Sequence, residues 1–377
     1  MKKLLYVTTV PVTLRAFLLP YAAHFRGRGL RVDAAAEGVS RCGVCREAFD
    51  NVYDLPFSRN PLHPANLASA CGKIRLLVER EGYDWVHVHT PVAAFVTRLA
   101  LRKSRLAGGP KVIYTAHGFH FHSWGTWWRN VLFQALERVA GRWTDYLIVI
   151  NTEDAGMARR QQIVPPERLI FMPGIGVDRE LYAPERVSPA AVDRVRAELG
   201  LKEEDVLFLM IGEYISRKRQ QDGLKALRAL PSQAHLALAG DGLLKDTLTG
   251  LAASLGLRDR VHFLGQRQDI AALVRTSRAV VLSSAQEGLP RSVMESLCLE
   301  TPVIGARIRG VRELVDDQCG ILVPMGDVPA LSKAMDHLFH NPATARDMGR
   351  RGRAKMSTCD LRYILQLHEE LYEKAKG

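Results

Sequence analysis

EGLPRSVMESLCLETPVIGA, residues 287–306, decides the reading of the fold. Gly288-Leu289-Pro290 is a turn signal, and because proline is favoured at the first helical position a helix is expected to open at Pro290. The PVIGA run that follows is short and almost wholly apolar, as a strand buried on both faces is. Two glutamates bracket the helix start, Glu287 just before the turn and Glu295 inside the helix.

The same alternation extends outward in both directions. Upstream, LLYVTTV, RVDAAA, DWVHVHT, KVIYTAH and YLIVIN are separated by helical patterns such as NLASACGKIRLLVEREG. Nearer the opening stretch, VLFLMIGE, AHLALAGDG, RVHFLG, AVVLSS, PVIGA and GILVP recur in the same way. Strands alternating with helices predict parallel sheets covered on both faces. The pattern pauses around residues 173 to 190 in a segment rich in Pro, Gly and charge, which reads as a linker. An α/β architecture of two doubly wound, Rossmann-like domains is therefore expected, residues 1–183 and 184–359, with ligands at the carboxyl ends of the strands in a cleft between them. The amphipathic helix 360–377 is expected to return to the first domain.

A length of 377 residues with 47% hydrophobic composition suits two globular domains. The N-terminus resembles a signal peptide, but Arg15 interrupts its apolar run and Val7 to Val10 reads as a first buried strand. No stretch reaches a membrane-spanning length, so the chain is expected in the cytoplasm. Cys42-Gly-Val-Cys45 has no second CxxC or His-x3-His to complete a zinc site, and the cysteines read as reduced thiols. The formal charge of +12 is uneven: residues 1–183 hold 24 Lys+Arg against 15 Asp+Glu, the remainder 28 against 25. An anionic surface or polyanionic ligand is expected on the first half.

Arg217 and Lys218, in GEYISRKRQ, leave a predicted strand at its carboxyl end, where cations suit a diphosphate. Glu287 lies beside the helix start and is placed to accept sugar hydroxyls, while Glu295 reaches another part of an elongated ligand. Each residue also has a plain structural reading: solvated loop cations, a carboxylate favourable to the helix dipole, and a surface residue of an amphipathic helix.

Taken with IRGVRELVDDQCGILVPMGD at 308–327, LALAGDGLLKDTLTGLAASLGLRDRVHFLG at 236–265 and MPGIGVD at 172–178, the opening stretch resembles the retaining GT-B glycosyltransferases, group 1 (glycosyltransferase family 4), especially those of bacterial surface polysaccharides. That family carries Glu-x7-Glu, then a Pro-Val-Ile strand and a Gly-x-x-Glu-Leu-Val helix. The resemblance implies that Glu287 holds the donor sugar, with the backbone of Gly288, Leu289 and Pro290 beside it. It places the ribose on Glu295, the diphosphate on Arg217 and Lys218, and His117 of YTAHGF near the reacting carbon. Gly265 and Gln266 fall in a loop expected to help choose the nucleotide, a uridine donor being the family's commoner one. The chain departs from the family at Glu300, where glycine is usual, at Glu213, where arginine is more frequent, and in TTVPVTLRAF, which lacks paired glycines.

Transfer with retention needs no side-chain nucleophile, since the diphosphate leaves from the face the acceptor attacks. The expected activity is hexosyl or N-acetylhexosaminyl transfer to a glycan or a polyprenyl-diphosphate-linked saccharide. His87, His89, His117, His120 and His122 raise a metal site, but no HExxH or carboxylate base accompanies them and the chain has no Asp-x-Asp triplet. No metal or other cofactor is expected. Trp124, Trp127, Trp128 and Arg129 fit a helix at an anionic membrane surface on the acceptor side, which would make the protein peripheral on the inner face of the plasma membrane. The rival classes are a GT-B sugar-nucleotide epimerase and a non-catalytic basic protein that binds membrane or nucleic acid. No RNA-reading aromatic motif accompanies the basic residues, so no nucleic-acid partner is expected. A glycosidase is weaker, since eight helical positions set Glu287 and Glu295 about 12 Å apart, beyond the roughly 5–9.5 Å of paired catalytic carboxylates.

Overall fold

The computed structural model describes residues 1–60, 63–119, 121 and 126–375. It divides into two compact units, Met1–Ile175 with the C-terminal segment from Tyr363, and Gly176–Arg362. The division falls at Ile175–Gly176, within the stretch whose sequence reads as a linker, eight residues before the 183/184 boundary expected there.

The first unit holds a parallel sheet of β1 (Lys3–Val7), β2 (Arg31–Ala36), β3 (Val52–Asp54), β4 (Trp85–Val88), β5 (Lys111–Ala116), β6 (Tyr146–Val149) and β7 (Leu169–Phe171). Their spatial order is β3-β2-β1-β4-β5-β6-β7. Leu4, Leu5, Tyr6 and Val7 are all fully buried, which is why β1 shows no polar alternation. The strand ends earlier than the expected Val7–Val10. Past Val7 the Thr8 hydroxyl closes onto Val10 O at 2.9 Å, and Thr9 N–H turns to Thr90 Oγ1 at 2.9 Å.

The second unit holds β8 (Val206–Ile211), β9 (Ala234–Ala239), β10 (Val261–Gly265), β11 (Ala279–Leu282), β12 (Val303–Ala306) and β13 (Gly320–Val323). All run parallel, in the order β10-β9-β8-β11-β12-β13. Alternate residues of β8 feed two cores: Leu207 and Leu209 join one face, Phe208 and Met210 the other. Burying such a side chain contributes about 1.5–3 kcal/mol, so a polar substitution at any of the four removes a large part of a typical folding margin.

Both sheets reverse their winding once, between β1 and β4 and between β8 and β11. Loops at the carboxyl ends of such strand pairs are where doubly wound domains bind ligands.

Four helices matter below: α1 (Pro91–Leu101), α2 (Trp127–Gly141), α3 (Arg291–Cys298) and α4 (Leu361–Lys374). Ile364, Leu365, His368, Leu371 and Tyr372 are the buried residues of α4. Tyr372 hydroxyl lies 3.2 Å from that of Tyr6 and 2.7 Å from His87 Nδ1, and this fastens the end of the chain to β1 and β4. Among the described residues no helix is long and apolar enough to cross a membrane.

Candidate active site

In the second unit the loops after β8 and β11 meet at the reversal point. Ala285 N–H donates to Arg217 O at 2.8 Å, and the Ser283 hydroxyl donates to Arg219 O at 2.8 Å, so one backbone and one side-chain hydrogen bond lock the two loops together. Lys218 Nζ then donates to Glu287 Oε1 at 2.7 Å. Arg217 donates to Gln286 O at 2.7 Å and keeps its guanidinium 3.6 Å from Glu287 Oε2. The Lys218 and Glu287 side chains retain only 16% and 10% of their exposure, so the pair is shielded enough to matter electrostatically. Arg219 adopts φ 53° and turns onto Asp222 at 2.7 Å, which leaves Lys218 and Arg217 as the cations facing Glu287 from this loop.

The turn after Glu287 is built by close backbone approach. A Cβ at Gly310 would lie 1.8 Å from Gly288 O, and Gly310 holds φ 78°, so only glycine fits. Arg309 is buried beside it, with Nε 3.5 Å from Glu287 O. Pro290 is the N-cap of α3 rather than its first helical residue, because its ψ of 118° is extended; Arg291 starts the helix. Leu289 is half-buried and Pro290 buried, so both pack the turn in place.

Glu295 lies one turn into α3, on the same face as Arg291. Arg291 Nε donates to Glu295 Oε1 at 2.6 Å. Burial raises the Glu295 carboxyl above its ordinary value, against the opposing pull of Arg291 and a hydrogen bond with Tyr182, whose hydroxyl burial pushes up to about 12. Glu295 is thus a tethered, buried acceptor, and the sequence had no signal for Tyr182. Gly265 closes β10 with φ 63° and its carbonyl accepts from Gly240 N–H at 2.8 Å; Gln266 beyond it is exposed.

In the first unit the loops after β4 and β5 carry histidines. His87 and His89 face the same side, their rings stacked 4.4 Å apart. His87 is spoken for, with Nδ1 on the Tyr372 hydroxyl and Nε2 on the Thr115 hydroxyl, each at 2.7 Å. His89 Nδ1 meets His117 Nε2 at 2.9 Å, and Phe17 stacks on the His117 ring at 5.7 Å. Phe17 comes from the π-helix Leu14–Leu18, a local form that no periodicity in these residues announces. Burial lowers all of these imidazoles, His117 to about 4, so they stay neutral near pH 7. Among the described residues no group of three or more His, Cys, Asp and Glu could hold a metal ion. His120, His122, Trp124 and the Arg129 side chain lie outside the described residues.

Helix α2 is inside out. Trp127 is 76% exposed and Trp128 54%, and Val131, Leu132, Leu136 and Val139 are exposed with them. Its polar Glu137 points inward, where it pairs at 3.0 Å with Arg98 of α1, a guanidinium that is itself 1% exposed and stacked on Tyr114. An apolar outer face with a charged anchor beneath inverts the usual order of a surface helix.

Comparison with known proteins bears on both units. Residues 17–180 match the family described as Glycosyltransferase Family 4, and residues 192–355 that described as Glycosyl transferases group 1. The chain is 35% identical over 356 residues to EpsD of Bacillus subtilis (strain 168), a provisionally named glycosyltransferase, covering 93% of this chain and 91% of that one. It is 29% identical over 266 residues to the UDP-Gal:α-D-GlcNAc-diphosphoundecaprenol α-1,3-galactosyltransferase of Escherichia coli, covering 69% of this chain and 67% of that one. Among solved structures it is similar to Anabaena HepE in complex with UDP, with a TM-score of 0.82 at 22% identity, covering 99% of this chain and all of that one. This last likeness is one of GT-B fold.

Proposed function

The chain belongs to the glycosyltransferases of group 1 and family 4, and we propose that it moves a hexosyl or N-acetylhexosaminyl group from a UDP-sugar to a hydroxyl of a polyprenyl-diphosphate-linked saccharide, with retention at the anomeric carbon. The observation that carries this reading is the Lys218–Glu287 pair at the β8/β11 reversal point. It sets a cation for a diphosphate and a carboxylate for sugar hydroxyls side by side, as a donor with both parts requires.

In the proposed reaction the acceptor oxygen bonds to the anomeric carbon as the bond from that carbon to the diphosphate oxygen breaks. The acceptor's proton passes to the departing phosphate oxygen on the same face, so charge and atoms balance without an enzyme nucleophile. Lys218 and Arg217 meet the negative charge that develops on the diphosphate, which is the work a bound divalent ion does in other transferases. Glu287 orients the sugar, and Glu295, held by Arg291 and Tyr182, takes the ribose hydroxyls. His117 serves the transfer through a hydrogen bond to a substrate oxygen. The uridine preference and the lipid-linked acceptor draw support from the UDP in HepE and the substrate named for the Escherichia coli relative.

The outward apolar face of α2 favours an enzyme that works against an anionic membrane surface, where a polyprenyl acceptor resides. The test of the whole reading is turnover of a panel of UDP-, GDP-, ADP- and CMP-sugars with and without a polyprenyl-diphosphate saccharide. Acceptor-dependent release of UDP, abolished in Glu287→Ala, supports it. Release that ignores the acceptor, or a donor epimerised and returned, supports the epimerase or a hydrolase instead.

A further inference from the structure

His89 and His117 share one short contact, and the surroundings of His89 decide where its proton lies. A single hydrogen must sit between His89 Nδ1 and His117 Nε2 at 2.9 Å, because two neutral imidazoles cannot both donate along the same line. If His117 donated, neutral His89 would carry its own hydrogen on Nε2. That nitrogen is buried and has no hydrogen-bond partner among the described residues. A buried N–H without an acceptor is rarer and more costly than an unfilled lone pair. His89 therefore keeps its hydrogen on Nδ1 and donates it, leaving its buried Nε2 bare. His117 then accepts at Nε2, and its own hydrogen is forced to Nδ1. No described residue hydrogen-bonds that Nδ1.

We propose that His89 is a positioning residue for glycosyl transfer: it fixes His117 as the Nδ1–H tautomer, so that His117 meets its ligand as a hydrogen-bond donor and not as a base. The proposal rests on the reading above that His117 serves the transfer. The oxygen recognised is a hydroxyl or phosphate oxygen of donor or acceptor, each of which offers a lone pair to N–H. The acceptor's proton is then left to the departing diphosphate, as the balanced step above requires. Stacking of His87 on one ring and Phe17 on the other keeps the two imidazoles in register.

The full chain labelled with 15N-histidine tests this by long-range 15N–1H correlation at pH 7.5, with His117→Asn assigning the His117 signals. A protonated Nδ1 and a bare Nε2 on His117 are expected, and this reading needs no substrate. His89→Leu is expected to average the two tautomers and to lower kcat about tenfold with the donor KM unchanged. His89→Asn, whose amide N–H occupies the place of Nδ1–H, is expected to restore both the signature and kcat to within about twofold. A bare Nδ1 with protonated Nε2 in the unaltered chain overturns the proposal, as does His89→Leu that changes neither spectrum nor rate. Undiminished transfer by His117→Ala removes the role of both histidines in catalysis while the tautomer assignment stands, which separates that failure from this one.

Discussion

Lys218 Nζ lies 2.7 Å from Glu287 Oε1, joining the two loops that flank the winding reversal of the second sheet. The pair holds the cation beside the place where a diphosphate is read to bind, and the carboxylate both neutralises that cation and repels a second anion. Substitutions at its two ends should therefore act in opposite directions on nucleotide affinity. Glu287→Gln is expected to tighten UDP by about fivefold, through removal of one negative charge, while lowering transfer at least about a hundredfold. Lys218→Met is expected to weaken UDP about tenfold or more. Titration calorimetry of both variants checks this; affinities that move together contradict it.

Three buried imidazoles and the half-buried His117 make the first unit sensitive to mild acid. Burial lowers His87, His89, His117 and His368, the last two to about 4, whereas each returns to about 6.5 in the unfolded chain. Between those values the unfolded chain binds protons that the folded one refuses. The stability is therefore complete above about pH 6.5 and falls as pH drops, by up to about 1.4 kcal/mol per pH unit for each histidine and less for half-buried His117. The urea midpoint is expected to hold from pH 7.5 to about 6.5 and to fall from there to pH 5.0, with a shallower slope in His368→Gln. A flat midpoint over that range contradicts the burial of these groups as neutral species.

Glu300 holds φ 56°, and the chain is crowded there, since a Cβ on Gly349 would lie 1.9 Å from Glu300 O. A left-handed conformation costs an L-residue about 1–2 kcal/mol, part of which glycine returns as backbone entropy. Glu300→Gly is expected to stabilise the second unit by about 0.5–1 kcal/mol without changing transfer. Denaturant unfolding measures it, and a loss of stability would show that the glutamate side chain has a role of its own.

The outward face of α2 predicts a membrane phenotype separable from folding. Trp127→Ser combined with Leu132→Ser removes exposed apolar surface and is expected to reduce retention on vesicles containing anionic lipid at least about fivefold, while stability shifts by no more than about 0.5 kcal/mol. Co-sedimentation reads the first and thermal unfolding the second. Equal retention of variant and parent chain counts against a membrane role for this face.

The interior strands were legible because each is buried on two faces and so writes a largely apolar run: RVDAAA is β2 residue for residue, and β9 is the AHLALA part of the expected AHLALAGDG. Edge strands β3 and β7 are three residues long, and half-buried Val52, Tyr53, Leu169 and Ile170 leave too short a run to register. The Glu287–Glu295 spacing and the cations at 217 and 218 could be read because they lie within local motifs. What brings them together, or ties them to others, crosses long stretches of chain. Lys218 and Glu287 are 69 residues apart, His89 and His117 28, and Arg98 and Glu137 39. Only the parallel winding of the sheets sets such residues side by side. The outward face of α2 fits the surface position expected of Trp127 and Trp128, although the period alone does not choose it, since an apolar stripe repeats alike whether it faces in or out.

The anomeric configuration of the product tests retaining transfer at the Lys218–Glu287 site. A UDP-α-sugar that is turned over by the purified chain, with a polyprenyl-diphosphate saccharide as acceptor, is examined by the one-bond and vicinal couplings of the new anomeric proton. An α-linked product, formed by the parent chain and lost in Glu287→Gln, is the predicted result. A β-linked product, or transfer that persists undiminished in Glu287→Gln, contradicts it.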